Sequence, residues 1–306
     1  MSEASFLLDK GYVKLPSGVL SRDQLSVLQR FAEEKFGSPA IPYAEPGVHR
    51  QRNRYEFCHF TDDNWAVLMD VVGADAAADA VMEHIFSHPA VRSVLAGVSG
   101  PGYKIFQAAV RRAHPGGRGM DLHQDTPGEI GLTILLDDTG RDGATVLLPT
   151  SHRWPIGIGD LGFSPKPRAL TPLLAATTGQ AGDMYFFINH AWHGRYPHGK
   201  KPVTALMFAL MTAGARYRLH TPQAEVLTRL QPELRRLLDP AVGVKLDGDG
   251  MATVQGAPLD AQSKGALFGA APSEFSPWRL VKGWAACRRM VRQHVLRRSP
   301  PPPSPY

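Results

Sequence analysis

Met120-Asp-Leu-His-Gln-Asp-Thr-Pro127 is the stretch on which the reading of this chain turns. Residues two apart on a β-strand point to one face. On a strand end, the His123 imidazole and the Asp125 carboxylate can therefore meet a single ligand. Around this stretch, from Gly100 to about Thr212, short β-rich runs are separated by Gly, Pro and Asp. Strands are expected at Tyr103–Arg111, Met120–Gln124, Gly131–Leu136, Thr145–Leu148, Asp183–Ile188 and Val203–Met211. Short strands broken by turn residues predict a sandwich or barrel. Before residue 100 the texture is helical. Ser21-Arg-Asp-Gln24 is a helix start with Ser at the N-cap and Gln three residues on. Further helices are expected over roughly 63–86 and 90–95. After Tyr217, Val226, Leu227, Leu230, Leu234, Leu237 and Leu238 form one apolar helical stripe. Leu246-Asp-Gly-Asp-Gly250 with Thr253-Val-Gln-Gly256 reads as a hairpin or loop. It lacks the later ligands and closing Glu of a calcium loop.

The second informative segment is Phe187-Ile-Asn-His-Ala-Trp-His-Gly-Arg-Tyr-Pro-His198. It follows a Gly-Asp-Met-Tyr-Phe-Phe strand and offers His190, His193 and His198. Two imidazoles and one carboxylate on one face of a metal leave positions open, as in non-haem Fe(II) oxygenases. A lone His-x-Asp is weak, since such pairs arise by chance. The β-rich setting of both histidine segments strengthens it. His190 and His193 are three apart, so a strand places them on opposite faces.

Taken in order, the motifs resemble those of the phytanoyl-CoA dioxygenase family of Fe(II)/2-oxoglutarate oxygenases. They are His123-Gln-Asp125, Leu136-Asp-Asp138, Asp142-Gly-Ala-Thr145 with Pro149-Thr-Ser-His152, and Gly182-Asp183 leading to Trp192-His193. Gly11-Tyr-Val-Lys-Leu-Pro16 and Leu20-Ser-Arg-Asp-Gln-Leu25 look like the family's N-terminal entry. The resemblance covers residues 6–215. It implies an α+β, mainly β chain with a double-stranded β-helix (jelly roll, cupin-like) core and helical additions at both ends. The implied organisation is one oxygenase domain over 1–298. It has a helical part to 99, a core from about 100 to 215 and a second helical part over 216–298. A Pro-rich tail follows at 299–306.

The resemblance implies His123, Asp125 and His193 as ligands of Fe(II), with 2-oxoglutarate and O2 as cosubstrates. The intact Asp125 favours hydroxylation, because halogenating relatives carry a small residue there. It also implies Gln107 and Thr133 as cosubstrate contacts. The family's arginine for the distal 2-oxoglutarate carboxylate would fall near Thr204 and is missing. An unpaired buried carboxylate is very costly, so another cation is expected. Lys200, Lys201, Arg195 and Arg112, with Arg111 beside it, are the candidates. Lysine would supply a point charge, not a two-pronged bond. His152 and Trp154 follow the Pro-Thr-Ser turn and are read as a structural corner or as substrate neighbours. Arg52, Arg54 and Tyr55 lie where a substrate loop would fall.

Composition narrows the alternatives. The 306 residues are 43% apolar and 20% charged, which excludes a disordered chain. Two cysteines, Cys58 and Cys287, exclude a disulfide scaffold and a Cys-rich zinc site. No apolar run is long enough to span a bilayer, and the opening residues do not read as a secretory signal. A cytoplasmic protein is expected. The net charge of +6 comes largely from 279–298, with seven Lys/Arg and no Asp or Glu. There Leu280, Trp284, Cys287, Val291 and Val295 make one apolar face of a basic amphipathic helix. Such a helix docks on the barrel or lies on the inner face of an anionic membrane. No nucleic-acid motif is present. The expected partner is a small molecule that is lipid-, sugar- or natural-product-like. Rival readings are a jelly roll that has lost catalysis and serves as a binding or membrane-associated module, and a cupin-type metalloenzyme without 2-oxoglutarate.

Overall fold

The computed structural model describes residues 1–42, 55–154, 157–158, 164–218, 222–248 and 251–269. The basic 279–298 stretch, the Pro-rich tail, Arg52 and Arg54 lie outside the described residues.

The chain opens with helix α1 (Glu3–Lys10), strand β1 (Tyr12–Lys14) and helix α2 (Arg22–Phe36). Strands β2 (Ile41–Pro42), β3 (Cys58–Thr61) and β4 (Trp65–Met69) precede helices α3 (Ala76–Ser87) and α4 (Pro89–Ser99). The barrel strands follow: β5 (Tyr103–Ala113), β6 (Met120–His123), β7 (Glu129–Leu135), β8 (Thr145–Leu147), β9 (Ala175–Ala176), β10 (Met184–Ile188), β11 (His193–Arg195) and β12 (Val203–Thr212). After β13 (Arg216–Arg218) come helices α5 (Ala224–Arg229) and α6 (Pro232–Leu238), strands β14 (Val244–Leu246) and β15 (Met251–Val254), and helix α7 (Ala261–Phe268).

Going along the chain, the barrel strands pass back and forth between two sheets. The large sheet has the order β1-β10-β7-β12-β5-β4-β3-β2, and the small one β6-β11-β8-β9. Strands β5, β7, β10 and β12 thus face β6, β8, β9 and β11, and every barrel pairing is antiparallel. This is the double-stranded β-helix that the resemblance implies, with helices packed on the outside of the large sheet.

Strand alternation sorts the large sheet's side chains into two environments. Leu132, Ile134, Phe186, Leu206 and Phe208 point outward into the main core. There they meet Leu28, Met82, Ile85, Phe86 and Leu95 from α2, α3 and α4. Phe86 and Phe208 are buried and meet edge to face at 4.9 Å. Residues of opposite parity, including Gln107, Ala109, Arg111, Gly131, Met207 and Ala209, point into the barrel and line its cavity. Helix α2 begins as the sequence predicts. Ser21 Oγ accepts from Gln24 N, and Gln24 Oε1 accepts from Ser21 N.

Three expectations are corrected. The helix expected over 63–86 begins only at Ala76, because Trp65–Met69 is strand β4, paired antiparallel with β5. Burial on both faces removes the alternation that marks a strand, so a short apolar run reads equally as helix. The left-handed Asp70 (φ 54°) and Gly73 (φ 90°) separate the two elements. The part before residue 100 is not purely helical, since it adds four strands to the large sheet. The part after 216 carries a three-stranded sheet, β13-β15-β14, beside its helices. Among the described residues no helix is long and apolar enough to cross a membrane.

Phe208→Ala should cost about 3–5 kcal/mol, the range for emptying a buried aromatic site. The expected readout is a lower denaturant midpoint with an unchanged slope.

Candidate metal centre

Strand β6 ends at His123, and β11 begins at His193. The two strands pair antiparallel with these two residues opposite each other. Asp125 sits just past the end of β6, held by its backbone N–H donating to Asn189 O at 3.0 Å. Side chains from two segments 70 residues apart in the sequence therefore meet. Asp125 Oδ1 lies 3.8 Å from His123 Nε2, and Asp125 Oδ2 lies 3.3 Å from His193 Nε2. One ligand atom from each falls within 4.8 Å of the others, a spacing that one metal ion can bridge.

Both imidazoles are oriented by their backbone. His123 Nδ1 donates to Asp121 O at 3.0 Å, and His193 Nδ1 donates to Ala191 O at 2.9 Å. Each Nε2 lone pair is thereby turned toward the centre, as outer partners of metal-binding histidines do. The start of β11 is fixed in turn by Ser151 Oγ, which accepts from Trp192 N at 2.8 Å. Gln124, between the two candidate ligands, donates to His190 O and accepts from Ile158 N.

Electrostatics suit a cation. Burial, with His193 adding to it, pulls the His123 pKa down to about 4, so its imidazole is neutral at pH 7. Burial works against ionisation of Asp125. The charge and hydrogen bond of His193, helped by His123 and Arg111, outweigh it and bring the carboxyl down to about 2. Burial lowers the pKa of His193, but the facing Asp125 raises it by more. The result is a neutral imidazole, an ionised carboxylate and a histidine that gives up its proton to a competing dication.

The other expected site residues separate by strand parity. Gln107, Arg111 and Arg195 line the cavity that holds the three candidate ligands. Thr133 lies on the same inward row between Gly131 and Leu135, opposite Met207. It is 1% exposed, and its Oγ1 has no hydrogen-bond partner. Arg112, one residue past Arg111, points the other way. It pairs with Glu33, donates to Thr204 Oγ1 and covers the Phe36 ring. Lys200 and Lys201 line the same outer cleft as Arg112, not the cavity. All three are corrected as cosubstrate candidates for one reason: their strand or loop faces out of the barrel. Gln107 and Arg112 are five apart on one strand and cannot share a face. Arg111 does share the face of Gln107, and that spacing is the signal that identifies it.

Among the described residues, His152, His190 and His198 do not line the cavity. His152 is fully buried, accepts no ligand role in the cavity, and bonds Leu8 O through Nε2. His198 bonds His114 O, and His190 lies against Gly269. Tyr55 is buried and donates to Val72 O, and burial pushes the Cys58 thiol up to about 11. Sequence reading passed over Glu129, Asn189, Met120 and Phe187, which also line the cavity. The strand alternation that locates Arg111 also places Glu129 on the inward row.

No family model matches the sequence, and a search of the curated proteins finds no match. Solved structures do match the fold. The non-heme alpha-ketoglutarate-dependent epimerase SnoN from nogalamycin biosynthesis superposes with a TM-score of 0.52 at 17% identity. That match covers 71% of this chain and 83% of SnoN. The carbocyclase SnoK from the same biosynthesis gives 0.50 at 18% identity, covering 83% of this chain and 95% of SnoK. EctD from S. alaskensis, solved with bound Fe, gives 0.50 at 19% identity over 68% of this chain and 75% of EctD. At these identities the likeness is one of fold.

Zinc calorimetry checks the centre. His123→Ala, Asp125→Ala and His193→Ala should each weaken binding by more than about 100-fold, beyond the ~10–100-fold typical of outer-shell partners. His190→Ala and His198→Ala should leave it unchanged.

Proposed function

We propose that this chain is an Fe(II)- and 2-oxoglutarate-dependent oxygenase that oxidises a small or conjugated organic substrate. The observation that carries the reading is the meeting of His123, Asp125 and His193 inside a barrel cavity that also holds two inward cations. Solved enzymes with this fold point the same way, since SnoN and SnoK are named for dependence on alpha-ketoglutarate.

In this reading His123 Nε2, His193 Nε2 and an Asp125 oxygen would hold the iron. Bound Fe(II) and 2-oxoglutarate supply the oxygen-dependent oxidation of a substrate C–H bond, coupled to decarboxylation of the cosubstrate. The chain's own residues place the reactants and shield them. Arg111 is the residue proposed to hold the distal carboxylate of 2-oxoglutarate. It pairs in register with Ala205 on β12, next to Thr204, where the resemblance sought an arginine. The cation thus comes from the neighbouring strand at the same level of the barrel. A guanidinium can grip a carboxylate with two parallel bonds. It lines the same cavity as His123, Asp125 and His193, so it already faces the centre. Thr133 Oγ1, buried without a partner, offers a donor to the same ligand. Arg195 donates to Thr145 Oγ1 at 3.4 Å and adds a second positive charge to the cavity wall. Phe187 and Met207 supply apolar walls that exclude water. Intact Asp125 favours hydroxylation over halogenation, because halogenating members of the family the chain resembles carry a small residue there.

The test needs no substrate. Fe(II) is added to the full chain without oxygen, and 2-oxoglutarate is titrated while the visible spectrum is recorded. A charge-transfer band that saturates is the expected result. Tight iron binding with no band would sink the reading. Arg111→Leu should raise the half-saturating 2-oxoglutarate concentration by about tenfold or more, the weight of a charge-assisted bond. Lys200→Ala and Lys201→Ala should leave that concentration unchanged.

A further inference from the structure

Two polar groups in the cavity have no part in holding iron or 2-oxoglutarate. Glu129, the first residue of β7, and Asn189, just past β10, lie side by side. The Asn189 backbone N–H donates to Glu129 O at 3.0 Å, and its side-chain Nδ2 donates to Glu129 Oε1. Each is 5% exposed, and both line the cavity beside the candidate metal ligands.

The chemistry of the pair is one-sided. The Asn189 amide turns Nδ2 toward Glu129 and presents Oδ1 elsewhere, and once Glu129 is ionised both of its oxygens accept. That Oδ1 is buried and has no hydrogen-bond partner. The space before it is kept by Gly131, where an added Cβ would stand 2.7 Å from Oδ1 and 2.6 Å from the Phe187 ring. Among the described residues, Glu129 engages a hydrogen-bond donor only through Oε1. The charged groups acting on it are Asp125, which is another acceptor, and Arg111. Glu129 and Arg111 belong to opposite ends of the inward rows. Leu135, level with Arg111 across Ala205, is six residues along β7 from Glu129, roughly 20 Å of strand. The Arg111 side chain rises from one end of the rows and its charge still reaches Glu129, whereas the acceptors Glu129, Asn189 and Asp125 cluster toward the other end.

A buried acceptor without a donor is costly, and a buried carboxylate more so. The ligand that relieves both must bring several hydrogens on one small group, together with positive charge. A hydroxyl brings one hydrogen and an oxygen that would face other oxygens. A primary ammonium brings three hydrogens and a charge. We propose that Glu129 and Asn189 form the subsite that receives a primary amine, as its ammonium ion, on the substrate. The assignment rests on the reading above, in which Arg111 serves the cosubstrate at the other end.

The experiment uses the full chain loaded with zinc and 2-oxoglutarate. Calorimetry compares n-butylamine hydrochloride with 1-butanol, two probes of one shape, on the wild type and on Glu129→Gln. The glutamine keeps the size of the side chain and an acceptor for Asn189, and an unchanged zinc stoichiometry verifies its fold. The wild type should bind the amine about tenfold or more tightly than the alcohol. Glu129→Gln should abolish that preference. Equal binding of the two probes, a preference for the alcohol, or no heat from either on the wild type would overturn the proposal. So would an amine preference that survives in Glu129→Gln, since this would mean direct ligation to zinc. Recording the Fe(II)/2-oxoglutarate band on the same two proteins separates the readings. A missing band counts against the oxygenase, whereas a present band with no amine selectivity counts against this subsite alone.

Discussion

The antiparallel pairing of β6 with β11 is the contact on which the site depends. It sets His123 opposite His193 and leaves Asp125 free to turn in just beyond the strand end. Neither strand is long, so the pairing needs outside support. Strand β8 flanks β11 on its other side, and Ser151 holds the Trp192 N–H at its entry. The Pro149-Thr-Ser-His152 corner is anchored in turn by the buried His152 against Leu8. A motif that the sequence left open as a structural corner or a substrate neighbour is a bracket for the strand that carries His193.

The barrel divides labour between its two faces. The outward face of the large sheet is apolar and meets the helices, where burial stabilises the fold. The inward face carries the polar groups, at a cost that a well-packed core would not bear. Arg111 stands on one part of that face and Glu129 and Asn189 on another, while Arg195 and the candidate metal ligands reach the same cavity from the small sheet's side. Burial pushes the Glu129 carboxyl up to about 8, with nearby Asp125 adding to the rise against the Asn189 bond and Arg111. Groups this far from their ordinary state mark a place where the fold has kept polar atoms for ligands.

Local chemistry was legible where a residue's role depends on its neighbours in the chain. The Ser21–Gln24 capping box, the six barrel strands read from the sequence and the His123-Gln-Asp125 spacing all fall in that class. Strand β4 was not legible, because Trp65–Met69 is buried on both faces and shows no alternation. The choice between Arg111 and Arg112 was half legible. Spacing says that only one can face inward with Gln107, but which row faces the cavity depends on what packs against the sheet.

By itself the sequence determined that a histidine and a carboxylate share one strand end, that another histidine follows a later strand, and that the core is β-rich. These are matters of spacing, and spacing is written along the chain. Tertiary structure decided which later histidine joins the pair, which arginine turns inward, and that Glu129 meets Asn189 across sixty residues. Those outcomes come from sheet register. Shifting a strand by one residue exchanges its two faces, and the register is set by the burial of side chains from distant parts of the chain.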